Sequence, residues 1–200
     1  MKKIFLIFPL IFLSCFLNSP TLAEKSSKEG NSDWILLLPI NHLSEKRISL
    51  VVNIPKKYKP LGTFPSQSME FIPEGDDEQK YSQIITINVF AGTGVSASTF
   101  LDKIKSGMES ETPSFKLLKE DKKDEGSYTM ASLAATYEQH GRNEIVYMRY
   151  FSGPADLCGI QYAKPLGKNE SPEQALNDLR DKVDKVSQVN TLPEMESTHH

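Results

Sequence analysis

Apolar and polar residues alternate in several short segments of this chain, and a period of two is the pattern of a strand with one buried face. The clearest case is segment 47–54, in which every second residue is apolar: Ile48, Leu50, Val52 and Ile54. Segment 82–90 repeats the pattern with Ile85, Ile87 and Val89. Its other face mixes Ile84, Thr86, Asn88 and Phe90, which predicts a strand with one covered face and one partly wet face.

The period changes to that of a helix in two places. Phe100, Leu101, Ile104 and Met108 have helical spacing, which predicts a helix over 98–109, with Thr99 and Asp102 as a capping pair. A second helix is predicted over 172–189. There Ser171 is a cap, Pro172 occupies the first helical position, and Gln174 can close a capping box.

The remaining predicted elements are short strands joined by turns. The strands are 34–38 (or an anchoring segment), 69–73, 115–119, 128–138, 144–151 and 157–162; the turns and loops are 55–65, 74–80, 120–126 and 139–143. Hairpin order without strand–helix alternation predicts an α+β fold. We expect one antiparallel β-sheet covered by the internal helix and the C-terminal helix.

The N-terminus has the pattern of an export signal. Lys2 and Lys3 precede an almost purely apolar segment, 4–16, and Thr21 and Ala23 provide the small residues of a cleavage site after Ala23. The predicted organisation is therefore a signal peptide (1–23), a flexible leader (24–33), a single domain (34–190) and a flexible tail (191–200). The apolar segment is shorter than the roughly 20 residues of a membrane-spanning helix, so no membrane span is expected.

A second processing route is open at Cys15. Leu13-Ser14-Cys15 resembles the end of a lipobox, which would leave Cys15 acylated and the protein tethered to a membrane. Either route leaves at most Cys158 for bridging, so no intramolecular disulfide is expected. Cys158 is then either a small buried hydrophobe on a strand, or a reactive thiol that forms an intermolecular disulfide with a partner.

The charge balance argues against nucleic acid as a partner. The chain has a net charge of −3, and loss of Lys2 and Lys3 with the signal leaves −5. Binding to phosphates requires clustered Lys and Arg, and the mature chain has no basic block.

Two short motifs suggest chemistry, and each has a simpler explanation. Gly92-Thr93-Gly94-Val95-Ser96-Ala97 fits a G-x-G-x-x-A string between a strand and a helix. Strands in hairpin order precede it and no strand–helix alternation follows, so a flexible loop whose glycines adopt positive φ explains it better. His140 has Glu138 and Glu144 near it in sequence and lies far from His42, a pattern more typical of a solvated turn than of a metal site. No cofactor or metal is expected.

Aromatic residues and one guanidinium cluster on two neighbouring predicted strands. Tyr147, Arg149 and Tyr162, together with Tyr150 and Phe151, form either a sheet face that recognises a protein or glycan, or the aromatic packing beneath a helix. The first interpretation makes Tyr147, Arg149 and Tyr162 a candidate protein-binding face.

The order of elements resembles the PsbP-like fold of photosystem extrinsic proteins, which the Ran-binding Mog proteins and small exported bacterial proteins share. The resemblance covers 48–189. It is carried by the strand and lysine-rich turn of 48–58, by 84–90 followed by Ser98-Thr99-Phe100-Leu101, and by Glu144-Ile145-Val146-Tyr147 leading through Cys158 into the Ser171 helix. It implies an accessory role as an adaptor on a larger assembly, with no shared catalytic residues.

These observations together predict a non-enzymatic bacterial protein, periplasmic or secreted, that binds another protein through a sheet face or through the loops around Pro60 and Gly92. It would serve as a secreted host-interaction factor or as a subunit of an envelope complex. Two alternatives stay open: a small secreted hydrolase that uses Cys158 or His140, and a scaffold anchored to lipid through Cys15.

Overall fold

A computed structural model describes residues 22–25, 34–41, 47–62, 67–139 and 141–192. This part of the chain forms two antiparallel sheets and two helices. The strands are β1 (Leu22–Lys25), β2 (Trp34–Asn41), β3 (Arg47–Ile54), β4 (Tyr58–Leu61), β5 (Ser68–Pro73), β6 (Ile84–Phe90), β7 (Lys116–Asp124), β8 (Thr129–Gln139), β9 (Arg142–Ser152), β10 (Leu157–Pro165) and β11 (Ser187–Leu192). The helices are α1 (Ala97–Glu111) and α2 (Pro172–Val186).

The strands divide into a small sheet and a large one. Sheet A has the order β1-β2-β3-β11, and sheet B has the order β4-β5-β6-β10-β9-β8-β7. The α+β class is therefore confirmed. The expected single sheet is replaced by two, because the first strands and the last strand pair with each other rather than with sheet B.

One core lies between the two sheets and beneath α2. The alternating residues of β3 point into it, and Leu50, Val52 and Ile54 are fully buried there. From sheet B the same core receives Ile85, Ile87 and Ile160. Sheet A and α2 thus share the task of covering one face of sheet B, which we call the inner face.

A second core lies on the opposite, outer face of sheet B. There α1 packs on β8 and β9, and Leu101 and Met108 of the helix are buried against Leu133, Met148 and other side chains of these strands. One helix is about as wide as two strand spacings, so α1 covers only part of the outer face.

The C-terminal helix begins as the sequence predicts but ends earlier. The Ser171 hydroxyl accepts a hydrogen bond from the Gln174 N–H, and Pro172 stands in the first turn. The helix stops at Val186 instead of Val189, because Ser187–Leu192 forms β11 and pairs with Arg47–Val52 of β3. Sheet pairing satisfies the backbone of this segment, so Thr191 and Leu192, assigned to the tail by the sequence, are part of a strand.

The internal helix has a different cap from the predicted one. Ser96, not the Thr99–Asp102 pair, is the N-cap, and its hydroxyl accepts from the Thr99 N–H. Asp102 instead forms an ion pair with Lys122 at 3.0 Å. The helix starts at Ala97 because a serine one residue earlier offers the side-chain acceptor that the first turn needs.

Two segments predicted as turns are strands. The charged segment 120–126 extends β7 to Asp124, and the proline-containing segment 58–61 forms β4 against β5. Both are edge strands of sheet B. Charge and proline are tolerated at an edge, since one side of an edge strand needs no ladder hydrogen bonds.

The N-terminal predictions fall mostly outside the described residues. The apolar segment 4–16, Cys15, and most of the leader and tail belong to that part of the chain. β1 pairs with β2 and includes both Ala23 and Glu24, so cleavage between these two residues would divide β1. Among the described helices, none is long and apolar enough to cross a membrane.

Truncation of Leu179 tests the role of α2. Leu179 is fully buried in the core between α2 and the inner face. We expect Leu179→Ala to lower the free energy of unfolding by about 2 to 5 kcal/mol, through lost burial and the cavity left behind. Denaturant unfolding measures this. Asn177→Ala, at an exposed position of the same helix, is the control, and equal losses in the two variants would contradict this packing.

Candidate functional site

The predicted face of Tyr147, Arg149 and Tyr162 lies on the inner face of sheet B, beneath α2. Tyr147 and Tyr162 are opposite each other on β9 and β10, and both are buried. The guanidinium of Arg149 donates to the Tyr147 hydroxyl (3.0 Å) and to a carboxylate oxygen of Asp184 on α2 (2.5 Å).

The interpretation as a binding face requires Tyr147 and Tyr162 to be exposed, and both are covered. The Tyr162 hydroxyl is 2.6 Å from that of Tyr58, and both lie close to the Gln83 side-chain oxygen, which also accepts from Lys182 of α2. All of these groups hold α2 on the sheet. A partner would reach Tyr147 or Tyr162 only after α2 had moved, so the geometry favours the packing interpretation.

Cys158 is a fully buried free thiol on β10. Burial raises the pKa of its thiol, and the nearby negative charge of Asp156 raises it further. The thiolate is the nucleophilic form, so the environment of Cys158 opposes both hydrolysis and formation of a disulfide with a partner.

The glycine loop before α1 is fastened to the loop between β9 and β10. Gly92 and Gly94 have φ of 69° and 60°, as the loop interpretation predicts. The Gly92 N–H donates to the Asp156 carboxylate (3.2 Å) and the Gly94 N–H to the Ala155 carbonyl (3.0 Å). The amides that would have to face a phosphate are therefore bonded to the chain itself.

His140 and His42 lie outside the described residues, but Glu144 does not. Its carboxylate is buried and accepts from the Tyr81 hydroxyl (3.0 and 3.1 Å), the Tyr137 hydroxyl (3.2 Å) and Arg142 (2.9 Å). The Arg142 guanidinium also stacks on the Tyr81 ring. Among the described residues, no group of acidic, His and Cys side chains could hold a metal ion.

Part of the outer face of sheet B extends beyond α1. Glu70 of β5, Thr86 of β6 and Gln161 of β10 lie side by side in register, and Ile84 is two residues from Thr86 on the same face. All four side chains are half-buried. We call Glu70, Ile84, Thr86 and Gln161 the open face.

A buried hydrogen-bond network fixes one end of this surface. Gly159 stands between Tyr150 and Asn88 in the register of the three central strands. Because Gly159 has no side chain, the Tyr150 ring lies over it, and a Cβ there would clash with that ring. The Tyr150 hydroxyl thereby accepts from Asn88 (2.8 Å) and Gln161 (2.6 Å), which orients the Gln161 amide.

Two phenylalanines, Phe90 of β6 and Phe100 of α1, border the open face. Phe90 and Phe100 have ring centroids 5.2 Å apart, and Phe100 also packs on Tyr150 at 4.8 Å. Both rings are half-buried. The open face thus joins an apolar shelf, Phe90 and Phe100, to a polar row of Thr86, Gln161 and Glu70.

Glu70 is the electrostatically unusual member of the open face. Burial raises the pKa of its carboxyl, and the like charge of Glu78 raises it further. Within the described part of the chain, no cation pairs with Glu70, whereas Glu144, which lies on the same face, is paired with Arg142. A partly desolvated carboxylate without a partner is costly.

The sequence located part of this surface. The alternation in segment 82–90 predicted a partly wet face, and Ile84, Thr86 and Phe90 are half-buried on it. Asn88, expected on the same face, is buried where it donates to the Tyr150 hydroxyl. Glu70 and Gln161 were missed. They join Thr86 only through strand pairing across 16 and 75 residues of sequence, and no local pattern signals that pairing.

No family model matches the chain, and no curated protein matches it. Among solved structures, the chain is similar to LpqN of Mycobacterium tuberculosis, described as involved in cell envelope biogenesis, with 13% identity and a TM-score of 0.46 over 78% of this chain and 91% of LpqN. It is also similar to the cyanobacterial PsbP of Synechocystis, with 10% identity and a TM-score of 0.45 over 70% and 86% of the two chains.

The state of Cys158 has a direct chemical test. We expect iodoacetamide at about pH 8 to leave Cys158 of the native protein unmodified and to alkylate it rapidly in denaturant, since the native thiol is buried and protonated. Peptide mass spectrometry measures the modified fraction at this position. Rapid alkylation of the native protein would show that Cys158 is reactive and would favour the hydrolase alternative.

Neutralisation of Glu70 should stabilise the protein at neutral pH. The pKa of the Glu70 carboxyl is higher in the folded protein than in the unfolded chain. The stability that Glu70 contributes is therefore fully present at pH values below the unfolded pKa and is lost as pH rises through the folded pKa. We therefore expect Glu70→Gln to unfold at higher urea concentration than the wild type at about pH 7, and the difference to vanish at about pH 4.

The matched control for this comparison is Glu138→Gln, which changes an exposed carboxylate on β8. It should leave the unfolding midpoint nearly unchanged at both pH values, because an exposed side chain is well solvated in both states. A Glu70→Gln variant less stable than the wild type at neutral pH would show that Glu70 has a stabilising partner.

Proposed function

We propose that this chain is an exported, non-catalytic accessory protein that binds another protein through the open face. The observation that carries the proposal is the half-buried row of Glu70, Thr86 and Gln161 beside the Phe90–Phe100 shelf. A surface that combines aromatic area with a few oriented polar groups has the composition of a protein-binding site.

The chemistry of the interior supports a role without catalysis. Burial raises the pKa of Cys158, Tyr81 and Tyr150, so these groups stay protonated near neutral pH. Catalysis by a nucleophile or base requires a shift that produces the reactive form. The perturbed groups act in packing and hydrogen bonding instead.

The rigid support of the open face favours binding with little conformational change. Its strands lie within sheet B, and the Gln161 amide is oriented by the buried Tyr150 hydroxyl. A preorganised surface loses less entropy on association than a mobile loop. The loop at Gly92, also considered as a binding element, is tied to Asp156 and borders the same surface.

The export signal of 1–23 supports a location in the periplasm or outside the cell. Two destinations belong to the proposal: a subunit of an envelope complex and a secreted host-interaction factor. Acylation at Cys15 would make the same open face part of a lipid-anchored scaffold. Fractionation of the parent bacterium, with mass measurement of the mature N-terminus, separates these outcomes.

Site-specific photocrosslinking tests the binding surface. A photoreactive phenylalanine analogue is placed at Thr86 in the protein expressed with its own signal. We expect irradiation to yield a reproducible crosslink to one protein, identified by mass spectrometry, because Thr86 lies at the centre of the open face. Thr86→Tyr, which keeps strand propensity but adds bulk, should reduce co-purification of that protein at least about tenfold, the cost of roughly 1.4 kcal/mol at a protein interface.

Asn53 provides the matched control. It is a half-buried strand residue on β3 of sheet A, away from sheet B. The analogue at Asn53 should give no such crosslink, and Asn53→Tyr should leave co-purification intact. Crosslinks from Asn53 alone, or full binding by Thr86→Tyr, would refute the open face as the docking surface.

A further inference from the structure

Carboxylates predominate around the Glu70 end of the open face, and this charge points to the chemistry of the partner. Burial and the like charge of Glu78 raise the pKa of the Glu70 carboxyl, Glu70 is near enough to contribute to the raised pKa of Tyr81, and the Tyr81 hydroxyl donates to Glu144. The carboxylates of Glu144 and Glu70 therefore both act on Tyr81, and Arg142, whose guanidinium lies over the Tyr81 ring, is paired with Glu144.

The loop that borders this end of the face adds further negative charge. Segment 74–79 contains Glu74, Asp76, Asp77 and Glu78. The ammonium of Lys59 donates to the backbone carbonyl of Asp76 (2.7 Å). The Asp76 carboxylate accepts from Ser82, which together with the nearby charge of Lys59 lowers its pKa. An incoming cation would meet Glu70 as the partly desolvated acceptor on the sheet, with the loop charges attracting it.

The other end of the surface is apolar, and the distance between the ends is set by the sheet. Thr86, which is in register with Glu70, precedes Phe90 by four residues on the same strand, or about 13 Å at the rise of an extended chain. Thus Glu70 and the Phe90–Phe100 shelf lie about as far apart as two side chains four residues apart in an extended peptide.

We propose that the open face binds an extended segment of the partner that carries one lysine or arginine, which pairs with Glu70, and an apolar side chain about four residues away, which packs on Phe90 and Phe100. This inference rests on the proposed function and names the class of partner. Thr86 and the oriented Gln161 continue the cross-strand row that begins at Glu70 and provide hydrogen-bonding groups beside the segment. In the complex, the cation gives Glu70 the partner that the described chain lacks.

A displayed library of random peptides, selected on the full chain, tests the partner chemistry. We expect peptides enriched on the wild type to share a Lys or Arg and an apolar residue about four positions apart. Selection on Glu70→Gln should lose the cationic position and keep the apolar one, while selection on Glu138→Gln should match the wild type. Enriched peptides that share no cation would overturn the inference.

A double-mutant cycle with one enriched peptide then tests the pairing itself. Its arginine is replaced by citrulline, which keeps the shape and removes the charge. We expect Glu70→Gln and the citrulline peptide each to weaken binding about tenfold or more, and the two together to weaken it no further than either alone. Independent, multiplicative effects would show that the cation binds elsewhere and would overturn the pairing.

The Thr86→Tyr variant separates this inference from the proposed function. Some peptides could bind the wild type but not Thr86→Tyr, and bind Glu70→Gln as tightly as the wild type. Such peptides would refute the cationic partner and leave the open face as the binding surface. Peptides that bind Thr86→Tyr as tightly as the wild type would refute both. If no peptide is enriched on the wild type over Thr86→Tyr, the extended cationic segment is also wrong, and the crosslinking result alone decides the surface.

Discussion

The burial of the inner face of sheet B is the constraint on which the rest of the structure depends. That face is lined with large apolar side chains, such as Ile85, Ile87 and Ile160, which must be removed from water. Sheet A covers part of it and α2 covers the rest. Because α2 leads directly into β11, which pairs with β3, one C-terminal segment both covers sheet B and completes sheet A.

This arrangement decides which parts of sheet B are covered. The inner face is closed by α2, and its polar groups, including Arg149 and the Tyr58–Tyr162 pair, serve to hold the helix in place. On the outer face a single helix packs mainly on β8 and β9, and its Phe100 reaches Phe90 at one end of β6. The strands β10, β6 and β5 extend beyond it, so the open face follows from the difference in width between one helix and a seven-stranded sheet.

Two glutamates on that outer face show how similar side chains acquire different roles. Glu144 is fully buried and is satisfied by two tyrosine hydroxyls and a guanidinium, so it contributes to a structural network. Glu70 is half-buried beside the like charge of Glu78 and lacks a cationic partner in the described chain. Its unfavourable environment is the kind of local cost that functional sites retain, since a bound cation would remove it.

The sequence by itself determined the α+β class, the buried stripes of the strands, the Ser171 cap of α2 and the positive φ of Gly92 and Gly94, since each depends on residues close together in the chain. The division into two sheets, the placing of 187–189 in a strand instead of the predicted helix, and the covering of Tyr147 and Tyr162 were decided by the tertiary structure. So was the meeting of Glu70, Thr86 and Gln161, because pairing between distant strands joins them. Local propensity selects among helix, strand and turn, whereas the choice of partner strand depends on which apolar faces bury each other.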